Sequence, residues 1–411
     1  MKLEHHIPFD KDFLLEQQIA EHVFDKHQTD DFRKLFEILE HYFHYDSFNF
    51  IQQIKHNYTS FDPDKSDEER LKLAGKSEYD LFKNSLLQVV ERCKYRQIDQ
   101  AKIEEAISNS DLVSLKIQVN FEDFKDYAIY GRGLHKTTEK IPRFYFWKKE
   151  VDIEYYQRVL IFIRFHDAEY FKNKKQNLHK LPFTPGCIIL KMFKRVPVND
   201  LETIFPNAIP RMALKDKLLM WIPGLFGGVS LLSTKVIPPL IALYAAYKSS
   251  EMENTAKSKD SLTQGLLALG VLGAYLFRQY SDYLNKKLKF SKTLSDSVYF
   301  KNLGNNSGVF PALIDSSEEE ELKETILAYA FLNKSNHPLS AEELDVQIES
   351  WFLNTYKVSI DFDVKGALEK LEKIGLGVQH KGRWKVLPLH EALARVDKVW
   401  DSIFDYNQGT T

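Results

Sequence analysis

The first residue of this chain to suggest chemistry is Lys235. It is the single charged residue in the 30-residue run Leu218–Tyr247. A lysine inside an apolar run is costly unless it pairs, faces a cavity or extends its ammonium to the rim. The position therefore reads as a candidate ion, proton or headgroup site. Pro238-Pro239 follows, removing backbone donors and breaking any helical ladder there. Gly224 and Gly228 have the four-residue spacing that lets two helices approach closely. Arg211 lies just ahead of the run with Asp200, Glu202 and Asp216. A site at the edge of the run or simple anchoring and capping would account for these four.

Two other groups carry ligand-type side chains. Glu37, Glu40, His41 and His44 fall within two turns of one helix, the spacing of a carboxylate-rich metal site. No second motif matches them, and a solvated helix face explains them. His166-Asp167 resembles half of a metal-phosphohydrolase pair but lacks sequence partners. The two cysteines, Cys93 and Cys187, are far apart, which argues against a zinc cluster and a disulfide framework. The chain contains no phosphate-binding loop, dinucleotide fingerprint, GxSxG or HExxH. This reading assigns no catalytic, metal or cofactor residue and no cofactor.

The elements around these residues follow from hydrophobic patterning. Residues 10–110 read as helical, with Phe32, Leu35, Phe36, Leu39 and Phe43 at helical spacing and a capping box at Ser66 and Glu69. Helices are expected at Tyr79–Tyr95 and Ile98–Ser108. Period-two alternation begins at Leu115–Val119. Tyr127–Tyr130, broken by Gly131-Arg132-Gly133, then Asp152–Phe165 and Cys187–Phe193 continue it. An antiparallel sheet of four or more strands over about 112–195 is the expectation. Leu218–Tyr247 and Leu262–Phe277 are expected to form a transmembrane helical hairpin, because roughly 20 apolar residues span a bilayer core. Basic residues concentrate outside the hairpin loop, at Arg211, Lys215 and Lys217 before it and at Arg278, Lys286, Lys287, Lys289 and Lys292 after it. That bias puts both termini on the cytoplasmic side of a bacterial inner or organellar membrane.

Beyond residue 317 the pattern is helix, helix, helix and hairpin. The helices fall at Glu318–Leu332, at Ser340 (a capping box with Glu343) to Tyr356, and at Asp363–Ile374. The hairpin turns at Lys381-Gly382. This is the order of a winged-helix domain. The expected class is α+β, in four segments: a helical region 1–110, a sheet region 111–210 of the same soluble domain, a membrane hairpin 214–282 and a winged-helix-like domain 283–411. The formal net charge of −2, and the balanced charge of the third helix, disfavour nucleic acid as a partner.

Several segments resemble the transmembrane protein 143-like family, whose shared region is known as domain of unknown function 3754. They are Tyr58-x-x-Phe61-Asp62-Pro63-Asp64, RVLIFIRF (158–165), the stretch 190–228, NLGNNSGVFPALIDSSEEEELKETILAYAFL (302–332) and GLGVQHKGRWKVLPLHEAL near the C-terminus. The resemblance implies a two-span membrane protein without an assigned activity, and it transfers no catalytic residue. Together these features predict a membrane-anchored interaction or scaffold protein, oligomeric, with the lipid bilayer and a protein as partners. A channel or pore subunit and a membrane-associated enzyme are the alternatives.

Overall fold

The structure is a computed structural model. It describes residues 5–22, 26–73, 79–103, 115–144, 147–212, 299–335 and 337–403, together with scattered positions between 241 and 292. The chain divides into two compact units. One comprises Met1–Asp99, Glu122–Val198 and Asn302–Thr411; the other comprises Gln100–Phe121 and Asn199–Lys301.

The larger unit opens with α1 (Lys11–His22), α2 (Lys26–Tyr58), α3 (Asp67–Leu73) and α4 (Tyr79–Arg92). The phenylalanine and leucine stripe of residues 32–43 forms the first half of the 33-residue α2, and its members are buried. Ser66 and Glu69 exchange side-chain-to-backbone bonds at 3.1 and 3.3 Å, the expected capping box. A five-stranded antiparallel sheet follows, in the order β1-β3-β4-β5-β7. Its strands are β1 (Arg96–Gln97), β3 (Phe124–Phe144), β4 (Trp147–Phe165), β5 (Ile188–Pro197) and β7 (Asn302–Asn305). The run VLIFIRF is apolar without alternation because both faces of β4 are buried there, Val159, Ile161 and Ile163 on one and Leu160 and Phe162 on the other.

The glycines at 131 and 133 do not break β3, which continues to Phe144. A Cβ at Gly131 would meet the Tyr156 ring at 2.6 Å, and one at Gly133 would meet the Gln157 Cβ at 2.8 Å. These glycines therefore admit side chains from the neighbouring strand and do not mark a turn. Between β4 and β5 lies the short α5 (Ala168–Asn173).

The C-terminal part contains α6 (Val309–Lys334), α7 (Ala341–Tyr356), α8 (Val364–Ile374), the hairpin β8 (Gly377–His380) and β9 (Arg383–Val386), and α9 (Leu389–Ser402). Lys381 and Gly382 both have positive φ, 53° and 78°, as a two-residue hairpin turn of this hand requires. α6 begins nine residues before the expected start. The acidic run Glu318–Glu321 thus falls in mid-helix, where no helix-end charge is available to offset it.

Two apolar cores share the long helices. One joins Phe32, Leu35, Phe36 and Leu39 of α2 to the second half of α6 and to α7, α8 and α9. The other joins Ile51, Ile54 and Tyr58 of α2 to α4, the sheet and the first turns of α6. The middle of each long helix lies between the two cores, and there most buried residues are polar: Ser47 on α2, and Glu320, Glu321, Lys323 and Glu324 on α6.

In the smaller unit, β2 (Leu115–Gln118) pairs antiparallel with β6 (Ile209–Met212) as a separate two-stranded sheet, so the 115–119 segment is not part of the main one. Phe121 packs edge-on against Phe205, 5.4 Å between centroids, and Asn207 Nδ2 donates to the Asn120 carbonyl at 2.8 Å.

The expected transmembrane hairpin at Leu218–Tyr247 and Leu262–Phe277 is corrected by the structure. Among the described residues no helix is long and apolar enough to cross a membrane. The multi-pass membrane placement with both termini cytoplasmic, which rested on that hairpin, loses its support. Hydropathy counts the composition of a run, whereas spanning needs one continuous helix of about 20 apolar residues. The long described helices, α2 and α6, carry ionisable residues along their whole length. Gly224, Gly228, Lys235, Pro238 and Pro239 lie outside the described residues.

Candidate functional site, a charged belt and cleft

The polar layer between the two cores opens to solvent as a cleft of about 420 Å³ lined from α2, α4, α6 and α8. Phe50 supplies an aromatic wall, with the Arg92 guanidinium 5.3 Å above its ring. Arg92 is held by bonds from Nε to Glu321 Oε1 at 2.7 Å and from Nη2 to Asp46 Oδ2 at 2.8 Å. Lys373 closes the pattern, 3.2 Å from Asp46 Oδ1.

Deeper in the belt, Glu324 is fully buried between two lysines. Lys370 Nζ donates to Oε2 at 2.6 Å, and Lys94 Nζ lies 2.8 Å from Oε1, off the hydrogen-bonding direction. Burial pushes the Glu324 carboxyl above the usual range, and the lysines offset this only in part. Lys94 also reaches Asp363 Oδ2 at 2.6 Å. Burial would lower the Lys94 ammonium, but Glu324 and Asp363 override it and raise it. Lys94 has φ +58° just past the end of α4, a conformation that glycine adopts at least cost. A lysine there indicates that its side chain is needed where α4 points.

An N-terminal strap completes the belt. His6 Nδ1 lies 2.8 Å from Glu320 Oε1, the Ile7 amide donates to Oε2 at 3.2 Å, and Lys323 Nζ donates to the carbonyls of Ile7 and Phe9 at 2.9 and 3.2 Å. Burial opposes ionisation of Glu320. The His6 bond and the adjacent Lys323, 2.7 Å away, win and hold the carboxyl far below its ordinary value.

The residues singled out from sequence scatter. Arg211 lies on β6 opposite Lys116. Asp200 is exposed, yet desolvation raises it, with Lys301 opposing; Glu202 is buried; Asp216 lies outside the described residues. Glu40 pairs with Lys11, His44 Nδ1 lies 3.0 Å from Glu318, and the His41 ring lies 6.0 Å from Trp400, so this stretch of helix faces three different partners. His166 stacks on Tyr170 at 3.9 Å, and Asp167 meets Lys125 at 3.3 Å. Both thiols are buried and raised by desolvation, Cys93 to about 12 and Cys187 to about 11. The acidic run of α6 was the one sequence signal for the belt, since four acids in mid-helix must find cations.

Outside the belt, the smaller unit exposes large apolar side chains. Phe277, Tyr280, Leu284 and Leu288 are 73, 57, 38 and 66% exposed at helical positions. At about 100° per residue they fall within an arc of about 80° on one helix face. By the same spacing Arg278 and Asp282, both exposed, fall together on one side of the helix, about 80° and 120° beyond the edge of that arc.

No solved structure matches the chain. Residues 156–308, from the sheet half of β4 through β5 to the turn after β7, match a family described as a protein of unknown function (DUF3754).

Proposed function

We propose that this protein is an interaction or scaffold protein that associates with a second copy of itself. The observation that carries the reading is the exposed arc of Phe277, Tyr280, Leu284 and Leu288. Contiguous exposed apolar side chains on one face favour burial against a partner, at roughly 2 kcal/mol per large side chain fully covered. We take a second copy as that partner, since the same apolar arc on two chains is self-complementary across a two-fold contact. The belt supports a scaffold role, because two of the three lysines of α8, Lys370 and Lys373, are bound to α6 and α2 where a nucleic-acid-reading helix would need them free. The finer kinship, with transmembrane protein 143-like proteins, is part of the same proposal and rests on the segments 190–228 and 302–332.

The test is light scattering on the purified full-length chain over a wide concentration range. A dimer is expected for the natural sequence, and a monomer with unchanged circular dichroism for Leu284→Glu with Leu288→Glu. A natural chain that stays monomeric at every concentration would sink the proposal.

A further inference from the structure

The strap His5–Phe9 belongs to the larger unit and carries neither helix nor strand. Among the described residues, its main chain makes no bond to another main-chain group. Side chains of α6 grip it instead. Glu320 accepts the Ile7 amide, and Lys323 donates to the Ile7 and Phe9 carbonyls. Glu320 and Lys323 are both buried, 2.7 Å apart. An ion pair so buried adds little stability and acts through what it specifies. Here it specifies an extended main chain, which the proline after Ile7 favours. The alternate side chains fill apolar pockets. Ile7 is fully buried, and the Phe9 ring lies 5.6 Å from that of Phe352 and 4.8 Å from that of Tyr356, both on α7. Main-chain bonds with pockets for alternate side chains are the pattern by which a groove holds an extended peptide.

The strap leaves polar atoms unmet at both ends of this groove. Beside Phe9, the Tyr356 hydroxyl is buried without a hydrogen-bond partner among the described residues. At the His5 end the same holds for Asp345 Oδ1. Burial and the carboxylates of Glu349 and Asp361 raise Asp345, and His5 opposes them. The His5 Nδ1 lies 2.7 Å from the Asp361 carbonyl oxygen and 3.6 Å from Oδ2, and a histidine is cationic only when protonated. Among the described residues, the permanent cation that pairs with these three carboxylates is Arg96, 3.5 Å from Asp361.

We infer that the strap is an internal stand-in for a partner, seated in a peptide-binding groove of α6 and α7. The occupant is an extended segment of another protein, with arginine or lysine where His5 stands, an aliphatic residue where Ile7 stands and an aromatic where Phe9 stands. Arginine brings a permanent charge and several donors to the acids of that end. The main-chain grip and the two apolar pockets are those the strap already uses. A second copy's strap is disfavoured, since it brings the same histidine and leaves the acids as they are. Because the strap is tethered, it competes at high effective concentration, and the groove is self-blocked until such a segment displaces it.

The experiment follows the anisotropy of a peptide copying His5–Asp10 with His5→Arg, added to the full-length chain. The peptide is acetylated at its N-terminus, so that no terminal amine adds charge, and carries its fluorophore at the other end. Phe9→Ala in the chain loosens the strap, so the peptide should bind that variant about tenfold more tightly than the natural chain. Pro8→Gly, at an exposed position, loosens the strap without touching the groove and should act in the same direction. On either loosened chain, a peptide that keeps His5 should bind about tenfold more weakly than the arginine peptide. Adding Asp345→Asn with Glu349→Gln should erase that difference and leave binding of the His5 peptide unchanged. Circular dichroism would confirm that each variant folds. Three outcomes overturn the inference. They are no binding of the arginine peptide to either loosened chain, equal or stronger binding by the His5 peptide, or a preference for arginine that survives loss of the two acids. The groove lies in the larger unit and the oligomer test in the smaller, so either proposal can fail without the other.

Discussion

Glu324 and Lys370 form a buried ion pair, 2.6 Å apart, that ties α6 to α8 between the two apolar cores. Burying two charges costs about as much as their attraction returns, so the pair fixes geometry more than it adds stability. Removing Lys370 is a different matter, because it leaves the buried Glu324 with Lys94 alone to offset its charge.

Lys370→Met is therefore expected to destabilise the chain by about 3 kcal/mol, and Lys370→Met with Glu324→Met to recover most of that loss. Urea unfolding of the three proteins measures it. A double variant as unstable as the single one would show that the pair is worth more than its desolvation.

At Lys94 the backbone and the side chain make opposing demands. Lys94→Ala loses the contacts to Glu324 and Asp363 and keeps the unfavourable φ, whereas Lys94→Gly loses the contacts and relieves φ. The glycine variant should be about 1 kcal/mol more stable than the alanine variant, with both below the natural chain. Equal stabilities would mean that the positive φ carries no cost.

Two carboxyls should respond to pH with opposite signs. Burial opposes Glu320 ionisation, but His6 and Lys323 depress its folded value, so its contribution is fully present above its unfolded value of 4.5 and is lost as pH falls toward the folded one. Glu320→Gln should cost roughly 3 kcal/mol at neutral pH and progressively less below pH 4.5. Asp345 is pushed up to about 6 by burial and by Glu349 and Asp361. A raised acid penalises the fold above its folded value, and the penalty fades as pH falls from about 6 to its unfolded value of 3.8. Asp345→Asn should stabilise by up to about 1 kcal/mol at neutral pH, a figure reduced for solvent screening, and by nothing below pH 3.8. Thermal unfolding across that range would measure both, and a gain for Asp345→Asn that persists in acid would contradict the assignment.

Cys93 donates to the Leu313 carbonyl at 3.0 Å, and burial raises its thiol to about 12; burial raises Cys187 to about 11. Neither should react with iodoacetamide in the folded chain at mildly alkaline pH, since the thiolate is the reactive form. Both should label once denaturant is added. Fast labelling of folded protein at Cys93, followed by mass spectrometry, would show that the core opens there.

Local pattern settled much of this protein. The stripe from Phe32 to Phe43, both capping boxes, the VLIFIRF strand and the Lys381-Gly382 turn are short-range signals, because each depends on residues within one turn or one strand. What lay beyond reach depended on partners distant in the chain. Gly131 and Gly133 look like a break until Tyr156 and Gln157 are seen in the space a Cβ would take. The acids of α6 look like a helix start until Arg92, Lys94 and Lys370 are brought to them by α4 and α8. The apolar runs 218–247 and 262–277 suggested spanning helices, yet apolar composition does not specify whether lipid, a core or another chain covers it. Periodicity follows from the chain's own geometry and can be read from sequence; the pairing of buried charges is a long-range property, and only the tertiary structure decided it.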